Sequence, residues 1–268
     1  MKVAVVGHLE WATFSKVDHV PVAGEIIHTH SSWEEVAGGG AVAAMQLAAL
    51  ADNCLFFTAV GNDEHGRQAI ADLRAKGVEV YASSTAEVPT RTIFVDIDAN
   101  NERTITVNGN LVPSGQDATL PWEKLAEADA VYFVSGDGAA LVAARQAAVL
   151  VSTARVLPLL QQSAIPLDAL VASSQDAGEH YEPGRLEPVP TLIVTTDGSD
   201  GGKTASGETY KAEFIPPDKF IDTYGCGDSF AAGLTLGLGQ NLVVSEALKL
   251  AAHCGAQAAM RRGAFQSH

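Results

Sequence analysis

The chain's 268 residues carry 17 Lys and Arg against 32 Asp and Glu, a formal net charge of −15. That balance excludes the basic surface on which non-specific nucleic-acid binding depends. The length and a 47% hydrophobic fraction suit one large α/β unit spanning residues 1–268 with a small appendage. Cys54, Cys226 and Cys254 are odd in number and lack metal-ligand spacing, so they read as reduced thiols of a cytoplasmic protein.

Lys2 to Val6 reads as a buried first strand that turns at Gly7, not as a secretion signal. No apolar run approaches the roughly 20 residues that span a membrane. Residues 8–35 are polar and irregular, and the alternation in Val17 to Val22 and Glu25 to Thr29 predicts two exposed strands. Gly38-Gly39-Gly40 opens an Ala-rich helix reaching about Leu50, and Leu55 to Val60 is a second apolar strand. Gly61-Asn62-Asp63-Glu64-His65-Gly66 turns into a helix over Arg67 to Lys76, which stops at Gly77, a residue suited to the position after a helix end. A strand resumes at Val78.

From Thr90 to Val107 polar and apolar residues alternate around the turn Ala99-Asn100-Asn101-Glu102, which predicts a half-exposed hairpin. Together with the early exposed strands it forms a small β lid, with segments at about 9–36 and 89–109. Its unpaired edge offers a surface to a second copy of the chain, hence a homodimer. Ala130 to Val134, Leu170 to Ala172 and Leu192 to Thr196 read as buried strands separated by helical stretches. Such βα alternation predicts a mostly parallel sheet covered on both faces. Residues 181–190, rich in Pro, form a loop. In the last quarter Phe230, Leu234 and Leu238 recur at helical spacing, with Gly233 and Gly237 on a neighbouring stripe that permits close helix approach.

The segment with the most chemistry is Asp222-Thr223-Tyr224-Gly225-Cys226-Gly227-Asp228-Ser229-Phe230. Gly225 and Gly227 allow a sharp bend and close backbone approach to a ligand. Free N–H groups at the following helix start favour an anion. Asp228 is the one charge in that turn, placed to accept a proton from whatever attacks the anion. An anion cradle beside a base points to phosphoryl transfer to a hydroxyl, although Asp at a helix start also serves as an ordinary cap. Cys226 sits where a thiolate would be stabilised, yet it has no His nearby in sequence and reads better as a small loop residue.

These segments, in this order, resemble the ribokinase-like (PfkB-type) carbohydrate kinase family: Gly38-Gly39-Gly40 before the Ala-rich helix, Val60-Gly61-Asn62-Asp63 with Gly66, Leu73 through Val78, Thr90-Arg91-Thr92 with Glu102-Arg103-Thr104, and Asp222 to Phe230. The resemblance implies a three-layer α/β/α fold with a β lid, ATP as donor, Mg²⁺ on its phosphates and a sugar or sugar-like acceptor. It implies Asp228 as general base and the amides of Gly225, Cys226 and Gly227 as the anion hole. Glu10, Gly38, Gly39 and Gly40 would contact the sugar, and Trp11 would either stack on it or pack within the lid. Thr195, Thr196, Gly198 and Gly201 resemble the segment lying along the nucleotide, and Ala252, His253 and Gly255 would wall its base. Two departures stand out. The Asn that relatives carry just after the glycines is missing from Gly40 to Ala44, and their Asn-x-x-Glu is missing from Ser173 to Glu179. Asp176 or Glu179 would then face the metal through water. No basic cluster lies near the expected pocket, where Arg91 and Arg103 on the hairpin are the only obvious cations, and this disfavours a phosphorylated sugar. A non-catalytic ligand- or nucleotide-binding protein on the same scaffold is the alternative, since the missing residues favour it. A dinucleotide oxidoreductase is not supported, because Gly7 and Gly38 lack the required glycine spacing.

Overall fold

The computed structural model describes residues 1–264. Nine strands form the main sheet in the order β13-β12-β11-β10-β9-β8-β1-β4-β5. They are β1 (Lys2–Val6), β4 (Asn53–Gly61), β5 (Val78–Thr85), β8 (Ala130–Phe133), β9 (Val149–Thr153), β10 (Ala169–Ser173), β11 (Leu192–Thr196), β12 (Gly202–Thr204) and β13 (Thr209–Tyr210). The pairings from β5 through β11 are parallel, and only β11–β12 and β12–β13 are antiparallel. The sheet has apolar cores on both faces. Val3, Val5 and Phe56 enter one, whereas Ala4, Val6, Leu55 and Phe57 enter the other. This is the period-two alternation of strands buried on both sides.

The first core is roofed by α1 (Gly39–Ala48), α5 (Cys226–Gly239) and α6 (Val244–Ala259), the second by α3 (Gly138–Ala144) and α4 (Leu157–Ser163). The glycine stripe of α5 does what its spacing predicts: a Cβ on Gly233 would lie 2.9 Å from Ala251 Cα, and one on Gly237 2.9 Å from Ala247 Cα. The helix α2 (Glu64–Ala75) is capped by Asp63, which accepts from Gly66 N–H at 2.9 Å.

A second sheet, ordered β3-β2-β6-β7, is the lid. Its strands are β2 (Glu10–Lys16), β3 (Ser31–Ala37), β6 (Thr92–Ile97) and β7 (Arg103–Asn108). The hairpin β6–β7 lies where the alternation places it, and β7 is an edge whose residues are all exposed. The two early strands are displaced from the sequence reading. Residues 17–22 and 25–29 are not strands; they belong to the connection between β2 and β3. Pairing decided this, because β2 is held by β3 on one side and by β6 on the other, and Phe14 on β2 is fully buried. Val22 and Ile26, in contrast, stay exposed. Val149–Thr153, read as part of a helical stretch, is a strand between β8 and β10, as neighbours on both sides of the sheet dictate. No helix among the described residues is long and apolar enough to cross a membrane.

Candidate active site

The sheet changes direction at β1, which lies between β4, its next partner in sequence, and β8, where the order resumes on the other side. Open parallel sheets bind ligands at such a switch, outside the carboxyl ends of the strands. The segments leaving β1, β8, β9 and β10 converge there with the starts of α1 and α5.

His8 follows β1. Its backbone N–H donates to Ser135 Oγ at 2.8 Å, and its Nδ1 lies 2.9 Å from the same oxygen. Gly39 N–H donates to His8 Nε2 at 3.1 Å, so Nε2 is the acceptor and Nδ1 carries the proton. Burial, reinforced by the charges of Arg91 and Arg155, holds the ring's pKa well below the usual histidine value, in keeping with a neutral imidazole. Glu10, two residues on, is 5% exposed and forms an ion pair with Arg91 Nε at 2.5 Å. Burial raises its carboxyl above the ordinary glutamate range even though Arg91 pulls the other way. The root of the lid fixes Arg91. Asp63 accepts from Thr90 N–H and Thr90 Oγ1, both at 2.7 Å, while Gly61 N–H donates to Thr90 Oγ1 at 2.9 Å. The Gly61-Asn62-Asp63 and Thr90-Arg91-Thr92 segments are thus two halves of one joint.

The glycine turn is held by two acceptors. Gly38 N–H donates to Tyr224 Oη at 3.1 Å, beside the Gly39 bond to His8. Gly38 has a φ of +92°, and Gly39 lies so close to the α5 start that a Cβ there would sit 2.7 Å from Asp228 Oδ1 and 2.8 Å from Arg155 Nη1. Glu10, Gly38, Gly39 and Asp228 are therefore brought together, while Gly40 packs on the His8 carbonyl and Phe56.

Gly225 precedes α5 with a φ of +75°, and Asp228 stands in the helix's first turn. Gly227 faces open space, since a Cβ there would meet no atom within 4 Å. First-turn amides lack intrahelical partners and carry the positive end of the helix dipole, so this end suits an anion. Cys226 is not a thiolate: burial pushes its pKa up to about 11.

The residue that sequence reasoning missed is Arg155. It lies two residues beyond β9, and its guanidinium joins two carboxylates: Nε donates to Glu179 Oε1 at 2.8 Å, Nη2 also reaches Glu179, and Nη1 lies 3.3 Å from Asp228 Oδ1. The Asp228 charge, first, and that of Glu179 raise the Arg155 pKa further. Burial raises the Glu179 carboxyl despite Arg155 beside it. One signal was available: Arg155 is the single charged side chain between Gln146 and Leu167, at the end of the apolar run Val149–Val151. Read as a helix, that run gave no reason to aim Arg155 at the site.

The proposed metal residues separate. Glu179 is part of the Arg155 pair, whereas Asp176 caps the short turn at Ala177–Glu179 by accepting from Gly178 N–H at 2.8 Å. Among the described residues no group of three or more His, Cys, Asp or Glu side chains is arranged to hold a metal ion. Of the two proposed residues, only Glu179 lies beside Arg155 and Asp228.

The residues expected along the nucleotide split between two elements. Thr195 and Thr196 end β11, and Gly198 and Gly201, with φ of +55° and +95°, shape the turn after it. Thr195 lines a cleft of about 390 Å³ with Ser174, Asp197, Lys203 and Tyr210. On α6, Gly255 packs against the α5 start, its would-be Cβ 3.3 Å from the Cys226 carbonyl, and Ala252 is buried. His253 is about half exposed and pairs with Glu213 at 2.8 Å. Tyr210 of β13, beside that cleft, stacks on Phe230 of α5 with centroids 5.4 Å apart. Trp11, on β2 of the lid, stacks on His65 of α2 at 5.5 Å.

Comparison with known proteins identifies the family and the fold. The family model described as "pfkB family carbohydrate kinase" matches residues 1–170 and 167–267. The chain is 26% identical to an ATP-dependent ribose-1-phosphate kinase of Halopiger xanaduensis, over 98% of this chain and 94% of that protein. It is 24% identical to the ribokinase of Lactococcus lactis, over 93% and 88%. Its fold is similar to the crystal structure of an adenosine kinase from Sinorhizobium meliloti, with a TM-score of 0.80 at 18% identity over 99% and 95% of the two chains. With an α/β core, a four-stranded lid and a glycine loop opening onto Asp228, the chain belongs to the pfkB family of carbohydrate kinases.

Proposed function

We propose that this chain transfers the γ-phosphoryl group of ATP to a hydroxyl of a sugar or sugar-like acceptor at the switch point, with Asp228 as general base. The observation that carries the reading is the pairing of Asp228 with Arg155 at 3.3 Å, packed so closely on Gly39 that a Cβ there would lie 2.7 Å from Asp228 Oδ1. The acceptor would lie between Glu10, the glycine turn and Asp228. Its oxygen attacks the γ-phosphorus as the bond to the β-phosphate oxygen breaks, and Asp228 takes the hydroxyl proton, leaving ADP and a phosphate ester. Positioning and charge stabilisation do most of the work in such transfers. The amides of Gly225, Cys226 and Gly227 and the guanidinium of Arg155 supply that charge here. Magnesium would enter as part of the nucleotide substrate, and Glu179 would face it through water.

The name of the Halopiger relative supports ATP as donor. It also reopens the acceptor question. The lid sets Arg91 at Glu10, and Arg103 Nη1 donates to Thr223 Oγ1 at 2.8 Å beside the anion loop, so cations line the rim where an acceptor phosphate would sit. The test is ADP formation with Mg²⁺ over a panel of ribose, ribose 1-phosphate, fructose and adenosine. Asp228→Asn should lower turnover by about 10²–10⁴ with nucleotide affinity kept, the usual loss for a general base. A variant with wild-type turnover refutes the assignment. Thermal shifts with ligands but no turnover on any acceptor would favour a binding protein on the same scaffold.

A further inference from the structure

Tyr224 occupies a position that neither the anion loop nor the general base explains. It is 6% exposed, and burial raises its hydroxyl pKa, so it stands as a neutral phenol in the wall of the site. Three segments meet on it. Its backbone N–H donates to Asp222 Oδ1 at 2.9 Å, and Asp222 Oδ2 accepts from Gly263 N–H at 3.1 Å, which anchors the loop to the turn after α6. Its ring meets Phe14 of the lid edge-on at 5.0 Å, and Phe14 in turn stacks on Trp33 at 5.0 Å. Its Oη accepts the Gly38 N–H at 3.1 Å.

That last bond sits one residue from the closest approach in the site. Gly39 lies against Asp228 and Arg155 with no room for a Cβ. The turn that sets this approach is held by two buried acceptors, His8 Nε2 on Gly39 and Tyr224 Oη on Gly38. His8 belongs to the core behind the turn, whereas Tyr224 belongs to the same loop as the general base. The Tyr224 hydroxyl therefore links the turn directly to the loop that carries Asp228.

Resting on the phosphoryl-transfer reading, we propose that Tyr224 is a positioning residue: its hydroxyl keeps the Gly38–Gly39 turn in register with Asp228, so that the phosphoryl group passes to the acceptor and not to water. A displaced turn leaves the cradle and the base intact but misplaces the acceptor oxygen. Hydrolysis of ATP then competes, with water's oxygen forming the new P–O bond and inorganic phosphate leaving beside ADP. Small misplacements suffice, because transfer needs reacting atoms within about 3–3.5 Å and in line.

Tyr224→Phe removes only the oxygen and keeps both ring contacts. Two measurements decide the matter. The first is phosphorylated acceptor formed per ADP released; the second is hydrogen exchange of the 38–39 amides, read with global stability from denaturation. We expect product per ADP to fall about fivefold and the two amides to exchange about fivefold faster, the effect of losing one net hydrogen bond, with the nucleotide KM unchanged. Wild-type coupling in the variant overturns the proposal, whatever happens to turnover, and so does a loss of activity that follows global stability alone. If the wild-type chain phosphorylates no acceptor, the proposed function fails instead. The exchange measurement then decides by itself whether Tyr224 holds the turn, and unchanged exchange overturns it.

Discussion

The tightest constraint in the site is a missing methyl group. Gly39 is the first residue of α1 and does not occupy the left-handed region, so its backbone accepts alanine without strain. Alanine in place of glycine even favours a helix, by up to about 1 kcal/mol in an interior position. Its Cβ, however, would stand 2.7 Å from Asp228 Oδ1 and 2.8 Å from Arg155 Nη1, against the 3.4 Å at which ordinary contact begins. The two side-chain ends must retreat by about 0.7 Å, the difference between 3.4 and 2.7 Å. Both are ends of rotatable side chains, so stability changes little. Displacing a catalytic group by about 1 Å costs about 10²-fold in rate. Gly39→Ala should therefore lower kcat by about 10- to 100-fold while Tm stays within about 3 °C of wild type, the shift of one kcal/mol or less. Steady-state kinetics with a saturating acceptor and a thermal melt measure the two effects. Gly40→Ala is the control. Its Cβ would strike the His8 carbonyl at 2.6 Å and the Gly7 backbone at 3.0 Å, so it should lose stability by about 1–3 kcal/mol. Gly39→Ala with wild-type kcat, or with a loss that tracks its melting, refutes the proposed dependence of turnover on the Gly39–Asp228 contact.

Arg155→Met removes the cation between Asp228 and Glu179 and should lower kcat by about 10²–10³, the range for losing one donor to developing charge. Arg155→Lys should recover little of it, because a lysine cannot present a guanidinium fork to two carboxylates; full recovery in kinetics would contradict this. The third prediction concerns pH. Folded His8 stays neutral well below 6.5, while the unfolded chain takes up a proton near 6.5. Stability from this residue is thus complete above about pH 6.5 and is lost as pH falls below it. The raised pKa values of Glu10 and Glu179 act with the opposite sign, but they are common to wild type and variant. Denaturation of wild type and His8→Gln between pH 7.5 and 5 should show a slope smaller in the variant by up to about 1.4 kcal/mol per pH unit. Parallel slopes would mean that His8 already titrates in the folded chain.

The sequence by itself determined what depends on neighbours in the chain. The alternation of buried strands, the hairpin at 92–108, the glycine stripe of α5 and the turn that sets Asp228 at a helix start all follow from local periodicity and backbone freedom. Where local pattern was ambiguous it misled. Val17 to Val22 alternates as a strand does but found no partner, while Val149 to Thr153 became a strand because β8 and β10 flank it. Only the tertiary structure decided the contents of the site. Arg155 reaches Glu179 across 24 residues and Asp228 across 73, and Tyr224 reaches Gly38 across 186. No spacing rule links such positions. The parallel sheet does, by delivering the ends of β1, β8, β9 and β10 to one edge, where charges far apart in sequence become each other's nearest partners.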